Sequence, residues 1–346
     1  MWRLKRQQFH KRLLLQWHVT ERCNLHCAHC YQSACASEPP LAELLIVLDQ
    51  YRSLLSELDA AGHITVTGGE PFLRTDFLQL LEVIAMEKPR IGFAILTNGT
   101  LIDPHMAKRL RKLGPRFVQV SIDGVEQTHD RLRGSGNFAQ VCAGVRALVA
   151  EKVPALISFT AHRLNYREFP EVARLGKKLG ATRVWADRLI PIGRGSDLQT
   201  LSPNETKDLV EIMCDASHDQ RSWFNKTRIP MHRALQFLGG GTPYRCTAGD
   251  TLITVQPNGD VYPCRRLPLR AGNVKECSLT EIYKESDLLK SLRDRSTISQ
   301  GCESCAHEPQ CGGGLRCLAH AQFNSPFHAD PGCWLAPRSI PTQAEQ

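Results

Sequence analysis

No run of apolar residues in the 346-residue chain reaches the roughly 18–20 that a membrane-spanning helix needs, so the sequence predicts no membrane association. The opening residues are basic but lack an apolar core and a small-residue cleavage site, which excludes a secretory signal. Aromatic residues are only 7% of the chain and nowhere interleave with a stripe of Lys and Arg, so nucleic acid is not an expected partner. The formal net charge of +8 is concentrated at one end. Arg3, Lys5, Arg6, Lys11 and Arg12 supply five positive charges with no acid among them, leaving +3 for the rest. At 42% hydrophobic and 23% charged, the composition excludes disordered, collagen-like and coiled-coil chains.

Cysteine is present in quantity, at 14 residues. A chain of this length buries a core without disulfide staples. Without an export signal its thiols meet a reducing cytosol, where metal ligation is the commoner use of clustered cysteine. A cytoplasmic metalloprotein is the expectation.

Short β-rich runs alternate with amphipathic patterns over the first half of the chain. Strands are expected at 14–19, 64–67, 92–96, 117–122, 155–160 and 183–189. Between them, Leu41, Leu44, Leu45, Leu48, Leu55 and Leu58 follow the helical period, as do Phe77, Leu80, Leu81 and Ile84. Six β–α repeats imply an α/β fold with parallel strands and right-handed crossovers. The length suits a partial (β/α)6 TIM-like barrel better than a closed eightfold one, and working residues belong at the C-terminal strand ends.

Two trailing helices are expected at 204–218 and 223–238, and Gly239-Gly240-Gly241-Thr242-Pro243 reads as a linker. Beyond it the chain is rich in Cys, Gly and Pro. A β-hairpin is predicted at 252–255 and 261–264 around Asn258-Gly259. So small an apolar core would need metal to hold it. The expected domains are a basic arm at 1–12, a barrel with trailing helices at 13–238, a cysteine-rich domain at 239–336 and a disordered tail at 337–346.

Directly after the first strand comes Cys23-Asn24-Leu25-His26-Cys27-Ala28-His29-Cys30. Three thiolates on one loop can hold three irons of a cuboidal cluster and leave the fourth open. With His26 or His29 they could instead complete a zinc site. The next strands end in Gly68-Gly69-Glu70-Pro71, Thr97-Asn98-Gly99-Thr100 and Ser121-Ile122-Asp123-Gly124. Each motif alone has a turn or cap explanation. Taken together and in register, they resemble the radical S-adenosylmethionine (SAM) superfamily.

That resemblance implies a 4Fe–4S cluster on Cys23, Cys27 and Cys30 whose open iron chelates the amino and carboxylate groups of SAM. It implies SAM binding by Gly68, Gly69, Glu70, Pro71, Asn98, Ser121 and Asp123, with Ser158 and Arg188 at levels where the family contacts SAM or substrate. Gly68 and Gly69 would let backbone approach the ligand, and Glu70 would pair with its ammonium group. One electron would cleave SAM to methionine and a 5′-deoxyadenosyl radical that abstracts hydrogen from substrate. A reductase or flavodoxin-type protein would supply that electron.

A second set of cysteines, Cys246, Cys264, Cys302, Cys305, Cys311, Cys317 and Cys333, resembles the SPASM extension of radical SAM enzymes, which holds two auxiliary iron–sulfur clusters. A zinc ribbon on Cys302, Cys305, Cys311 and Cys333 is the alternative. By the family pattern those four would ligate the distal cluster, and Cys246, Cys264 and Cys317 the proximal one. The sequence departs from the pattern at the sixth cysteine. Leu315 stands where it is usual, and Cys317 comes two places later. The same stretch resembles the pyrroloquinoline-quinone biosynthetic branch, which has cysteine at both places.

Three 4Fe–4S clusters would take eleven thiolates, and the motifs supply ten. The proximal cluster is therefore one ligand short, which leaves an open iron, a non-cysteine ligand, Cys277, or a smaller or absent cluster. Cys35, Cys142 and Cys214 have no required role, the last two as small buried residues on helices.

Many SPASM enzymes modify ribosomally made peptides. Auxiliary clusters offer a route for the second electron of an oxidation such as a crosslink. The leading expectation is therefore a peptide maturase. Because the barrel begins almost at the first residue, leader recognition would fall to a separate peptide-recognition protein or to the barrel itself. The alternatives are radical oxidation or decarboxylation of a small molecule such as a tetrapyrrole or aminoglycoside precursor, a sulfatase-type protein maturase, and a non-enzymatic iron–sulfur or zinc scaffold. For a small molecule, Arg188, Arg194 and the loop at 190–195 could meet a carboxylate at the barrel mouth.

Overall fold

The computed structural model describes residues 11–32, 38–219 and 227–336. Most of the basic arm, Cys35 and the tail at 337–346 lie outside the described residues. Lys11 and Arg12, assigned to the arm from sequence, are instead the first residues of a strand.

Among the described residues, nine strands form one sheet: β1 (Lys11–His18), β2 (Ala60–Thr67), β3 (Ile91–Thr97), β4 (Val118–Ser121), β5 (Ala155–Ala161), β6 (Arg183–Arg188), β7 (Leu252–Val255), β8 (Asp260–Tyr262) and β9 (Gly272–Asn273). Their order is β6-β5-β4-β3-β2-β1-β7-β8-β9. The helices of the first half are α1 (Leu41–Glu57), α2 (Phe77–Met86), α3 (Pro104–Leu113), α4 (Glu126–Arg133), α5 (Asn137–Ala150), α6 (Phe169–Leu179) and α7 (Pro203–Asp219). Those of the second half are α8 (Leu279–Glu285), α9 (Asp287–Arg293), α10 (Glu308–Cys311) and α11 (Arg316–Phe323).

β1 to β6 pair in parallel throughout, as the βα alternation requires. β3 is buried along its whole length, because a parallel strand in a barrel meets side chains on both faces. The helices close over the outer face through the apolar stripes read from sequence, Leu44, Leu48 and Leu55 of α1 and Phe77, Leu80, Leu81 and Ile84 of α2. Asp103 caps α3 by accepting from the Met106 amide at 2.6 Å, and Gly114 ends that helix in the left-handed region.

Two features differ from the sequence expectation. A helix is expected over 223–238, of which 220–226 lie outside the described residues. From Thr227 onward the chain is extended, and only a short 3₁₀ turn, Ala234–Gly239, follows. Arg228 bridges Arg183 at the sheet edge, its amide donating to Thr182 O and its carbonyl accepting from Val184 N, both at 3.0 Å. An open strand edge and Pro230 together outweigh the helical pattern.

The second difference is that the cysteine-rich half does not build its core alone. β7 pairs in parallel with β1, Leu14 opposite Leu252 through Trp17 opposite Val255. Ile253, Val255, Val261, Leu279, Ile282 and Leu289 pack into the same apolar core as Leu15, Trp17 and Phe93. A separate apolar cluster gathers around Leu267, Leu315, Cys311 and Cys317.

Candidate active site

The Cys23–Cys30 loop leaves the C-terminal end of β1 and crosses the ends of β2 to β6. There a cavity of about 250 Å³ opens, lined by Cys23, Cys27, Cys30, Gly68, Gly69, Asn98, Ser121, Ser158 and Arg188 among others. The strand-end motifs therefore converge as a parallel barrel demands.

Gly68 and Gly69 serve the protein's own backbone. A Cβ on Gly68 would stand 2.3 Å from Thr20 O, and one on Gly69 2.2 Å from Arg22 O. The Gly69 amide donates to Thr20 O at 2.8 Å and the Glu70 amide to Arg22 O at 2.7 Å, pinning the base of the cysteine loop. Asn98 adds a tie, its Nδ2 donating to Asn24 Oδ1 at 2.8 Å while its Oδ1 accepts from Thr100 N and Oγ1. Ser121 and Ser158 face each other across β4 and β5, Oγ to Oγ 3.4 Å.

Two carboxylates expected at SAM stand behind the wall. Glu70 is fully buried and does not line the cavity. Its Oε1 accepts from Thr97 Oγ1 (2.8 Å) and Phe72 N (3.2 Å), and its Oε2 from Asn98 N (2.8 Å). It braces the end of β3 and caps the turn begun by Pro71. Burial pushes its pKa up to about 7. The folded protein thus retains a proton that the unfolded chain releases from about pH 4.5 upward. This contribution to stability is complete below that pH and is lost as pH rises through about 7. Glu70→Gln is expected to flatten the wild-type decline in urea midpoint between about pH 5 and 8 in the metal-free protein.

Asp123 is likewise fully buried and off the cavity wall. Its Oδ2 meets Arg133 Nε at 2.5 Å and His29 Nε2 at 3.2 Å, while Oδ1 accepts from Thr160 N at 2.7 Å. Despite burial, the Arg133 guanidinium, with the His29 ring beside it, holds its carboxyl well below the usual range. Arg133 in turn reaches Cys27 Sγ at 3.7 Å and lines the cavity. The sequence reading did not single out Arg133. Its signal was faint, a basic residue in the last turn of α4.

Arg188 lines the cavity, but its guanidinium meets the chain's own Asp330, Nη1 to Oδ1 at 2.7 Å and Nη2 to Oδ2 at 2.5 Å. Both side chains are buried. Asp330 also accepts from the Leu315 and Gly332 amides at 2.9 Å. Arg265 and Arg266, from the segment after the hairpin, line the cavity as well and were missed in the sequence. Arg194 is on the wall too, with its backbone amide on Cys30 O at 3.0 Å.

The remaining cysteines fall into two groups. Cys246, Cys264 and Cys317 lie within electrostatic reach of one another, and burial pushes the Cys317 thiol up to about 12. Cys302, Cys305, Cys311 and Cys333 line one small cavity with Asp330 and Phe237. Burial, then the neighbouring thiols, raises Cys302 to about 12 and Cys311 to about 11. Leu315 is the N-cap residue of α11 with its side chain in the apolar cluster, so Cys317, on the first turn, joins Cys246 and Cys264. Cys277 packs elsewhere, against the barrel core. Cys142 is buried in α5 and Cys214 half-buried on α7.

The residues present fit the implied groups. Each set is sulfur-rich, and every described cysteine is a free thiol. On the main cavity wall, the buried Glu21 Oε2 lacks a hydrogen-bond partner among the described residues, as an ammonium-bearing ligand would require. Among the described residues, no group of three or more His, Cys, Asp or Glu is drawn up around a single metal ion.

The radical SAM superfamily model matches residues 17–176, and the SPASM iron–sulfur cluster-binding model matches 246–307. An AdoMet-dependent heme synthase of Methanosarcina barkeri is 28% identical over 94% of this chain and 97% of its own. The mycofactocin maturase MftC of Mycobacterium tuberculosis is 31% identical over 93% of this chain and 82% of its own. Among solved structures, Streptococcus suis SuiB bound to S-adenosylmethionine superposes with a TM-score of 0.74 at 19% identity, covering 94% of this chain and 78% of that one. With the strand-end motifs gathered at one cavity, these matches establish that the chain is an enzyme of the radical SAM superfamily, a partial α/β barrel carrying a C-terminal SPASM iron–sulfur domain.

Proposed function

We propose that this enzyme oxidatively modifies a peptide, drawing one electron from a reductase or flavodoxin-type protein in the cytoplasm. The observation that carries the reading is the similarity to the mycofactocin maturase MftC, at 31% identity over 93% of this chain. The cavity at the strand ends, lined by the three loop cysteines, Gly68, Gly69, Asn98, Ser121 and Ser158, is where SAM would meet that substrate.

Cys23, Cys27 and Cys30 would hold the SAM cluster, Cys246, Cys264 and Cys317 the proximal auxiliary cluster, and Cys302, Cys305, Cys311 and Cys333 the distal one. The SAM-binding set is narrowed to Gly68, Gly69, Asn98, Ser121 and Ser158, with Glu70, Pro71 and Asp123 bracing it from behind. Bound there, the cluster and SAM supply hydrogen-atom abstraction. The chain's own residues hold the loop, bury the Cys27 thiol and line the cavity. A barrel at 13–238 and a SPASM domain at 239–336 remain the working division.

A second reading, radical decarboxylation of a carboxylated tetrapyrrole, is favoured by the similarity to heme synthases and by Arg194 and Arg265 on the wall, which form no ion pair with a carboxylate among the described residues. Anaerobic reconstitution with dithionite and SAM decides between them. Short peptides encoded beside the gene are expected to gain a two-electron mass change with 5′-deoxyadenosine formed in step. Turnover of a tetrapyrrole with every peptide unchanged would overturn the peptide reading.

A further inference from the structure

Arg266 joins the main cavity to the second group of cysteines. It is 8% exposed as a residue and lines the cavity. It forms an ion pair with Asp187, and its Nη2 donates to Arg188 O at 2.7 Å. Arg233 Nε lies 3.3 Å from the same Asp187 oxygen, Oδ2, that Arg266 meets. The Arg266 backbone amide lies 3.5 Å from Cys264 Sγ, and its guanidinium is within electrostatic reach of Cys264 and Cys317. Arg188 is also within reach of Cys317, but its charge is matched by the bidentate Asp330. Asp187 is shared between two guanidiniums, so the Arg233–Asp187–Arg266 set keeps a net positive charge; Arg233 and Arg265 also come within reach of Cys264, and Arg266 is the one of the three placed against both Cys264 and Cys317.

We propose that Arg266 is a positioning residue that supplies the counter-charge for the Cys246, Cys264 and Cys317 group and raises the reduction potential of the iron–sulfur cluster they hold. Reduction adds one electron, and thus negative charge, to a buried site. A fixed cation beside it stabilises the reduced form more than the oxidised one. Asp187 and the Arg188 carbonyl fix the guanidinium so that it cannot relax away, as a freely rotating surface cation would. Because Arg266 also walls the cavity, the same charge acts where an electron leaving substrate would enter the cluster.

The inference rests on the auxiliary-cluster reading but needs no substrate. The test is an EPR-monitored potentiometric titration of full-length reconstituted protein without SAM, comparing wild type with Arg266→Lys and Arg266→Gln. One auxiliary signal is expected to move to lower potential in the Gln variant and less in the Lys variant, while the other signals stay in place. Wild-type potentials throughout the iron-replete Gln variant would overturn the inference, as would an equal shift of every signal. Should the Gln variant fail to hold its iron, retention by the Lys variant supports the charge, and loss in both overturns it. Absence of any auxiliary signal in wild type would overturn the cluster reading itself. Wild-type signals that do not move in Arg266→Gln would overturn only the role of Arg266.

Discussion

Cys27→Ala is expected to lower 5′-deoxyadenosine formation by roughly a thousandfold or more, equivalent to about 4 kcal/mol of barrier. Of the three loop thiols, Cys27 is the one buried, and Arg133 Nη1 reaches its Sγ at 3.7 Å. Two remaining thiols leave an exposed cluster edge that solvent strips. Iron content should fall by about one cluster per chain while the auxiliary signals persist, since their cysteines belong to other groups. Cys142→Ala is the control, its thiol being buried in α5 against the core. Near-normal SAM cleavage by Cys27→Ala would remove the three-cysteine loop from the chemistry.

The strand-end motifs were legible in the sequence because a parallel barrel gives them no choice of place. A motif at the C-terminal end of β2 or β4 is delivered to the same end of the barrel, although its individual side chains can turn behind the cavity wall. The Cys23–Cys30 set was legible for a related reason, as thiols with two or three residues between them share a loop, whereas the grouping of Cys246 and Cys264 with Cys317 came from the family resemblance and not from spacing. The roles of Glu70 and Asp123 were not legible, because a carboxylate's role is set by donors the sequence does not place beside it. Thr97 and Asn98 take Glu70 from 27 and 28 residues away, and Arg133 takes Asp123 from the far end of α4. Ionisable residues at a predicted site therefore divide between those that touch ligand and those that hold the wall, and burial tells them apart.

The fate of the domain boundary follows the same logic. Gly239-Gly240-Gly241 has the composition of a linker, yet β7 lies beside β1 and its Ile253 and Val255 are fully buried in the barrel core. Parallel pairing between strands more than 200 residues apart has no local signature. The apparent poverty of the cysteine-rich half in apolar residues misled for that reason, since its hairpin borrows the barrel's core.

Asp330→Ala is expected to cost about 3–5 kcal/mol, because it leaves the Arg188 guanidinium buried and unpaired and frees the Leu315 and Gly332 amides. Arg188 ends β6, whereas Asp330 lies between Cys311 and Cys333, so the pair fastens the distal cysteine group to the barrel. Gly332 shows how closely, since a Cβ there would stand 2.1 Å from Arg188 Nη1. The loss should appear as a lower urea midpoint and as release of distal iron before SAM-cluster iron on partial denaturation. Arg188→Met combined with Asp330→Ala should recover part of the loss, because the penalty comes from one uncompensated charge rather than from the missing bond. Wild-type stability in the single variant would mean that the two halves are held by the sheet alone. Equal loss in the single and double variants would assign the effect to the freed amides.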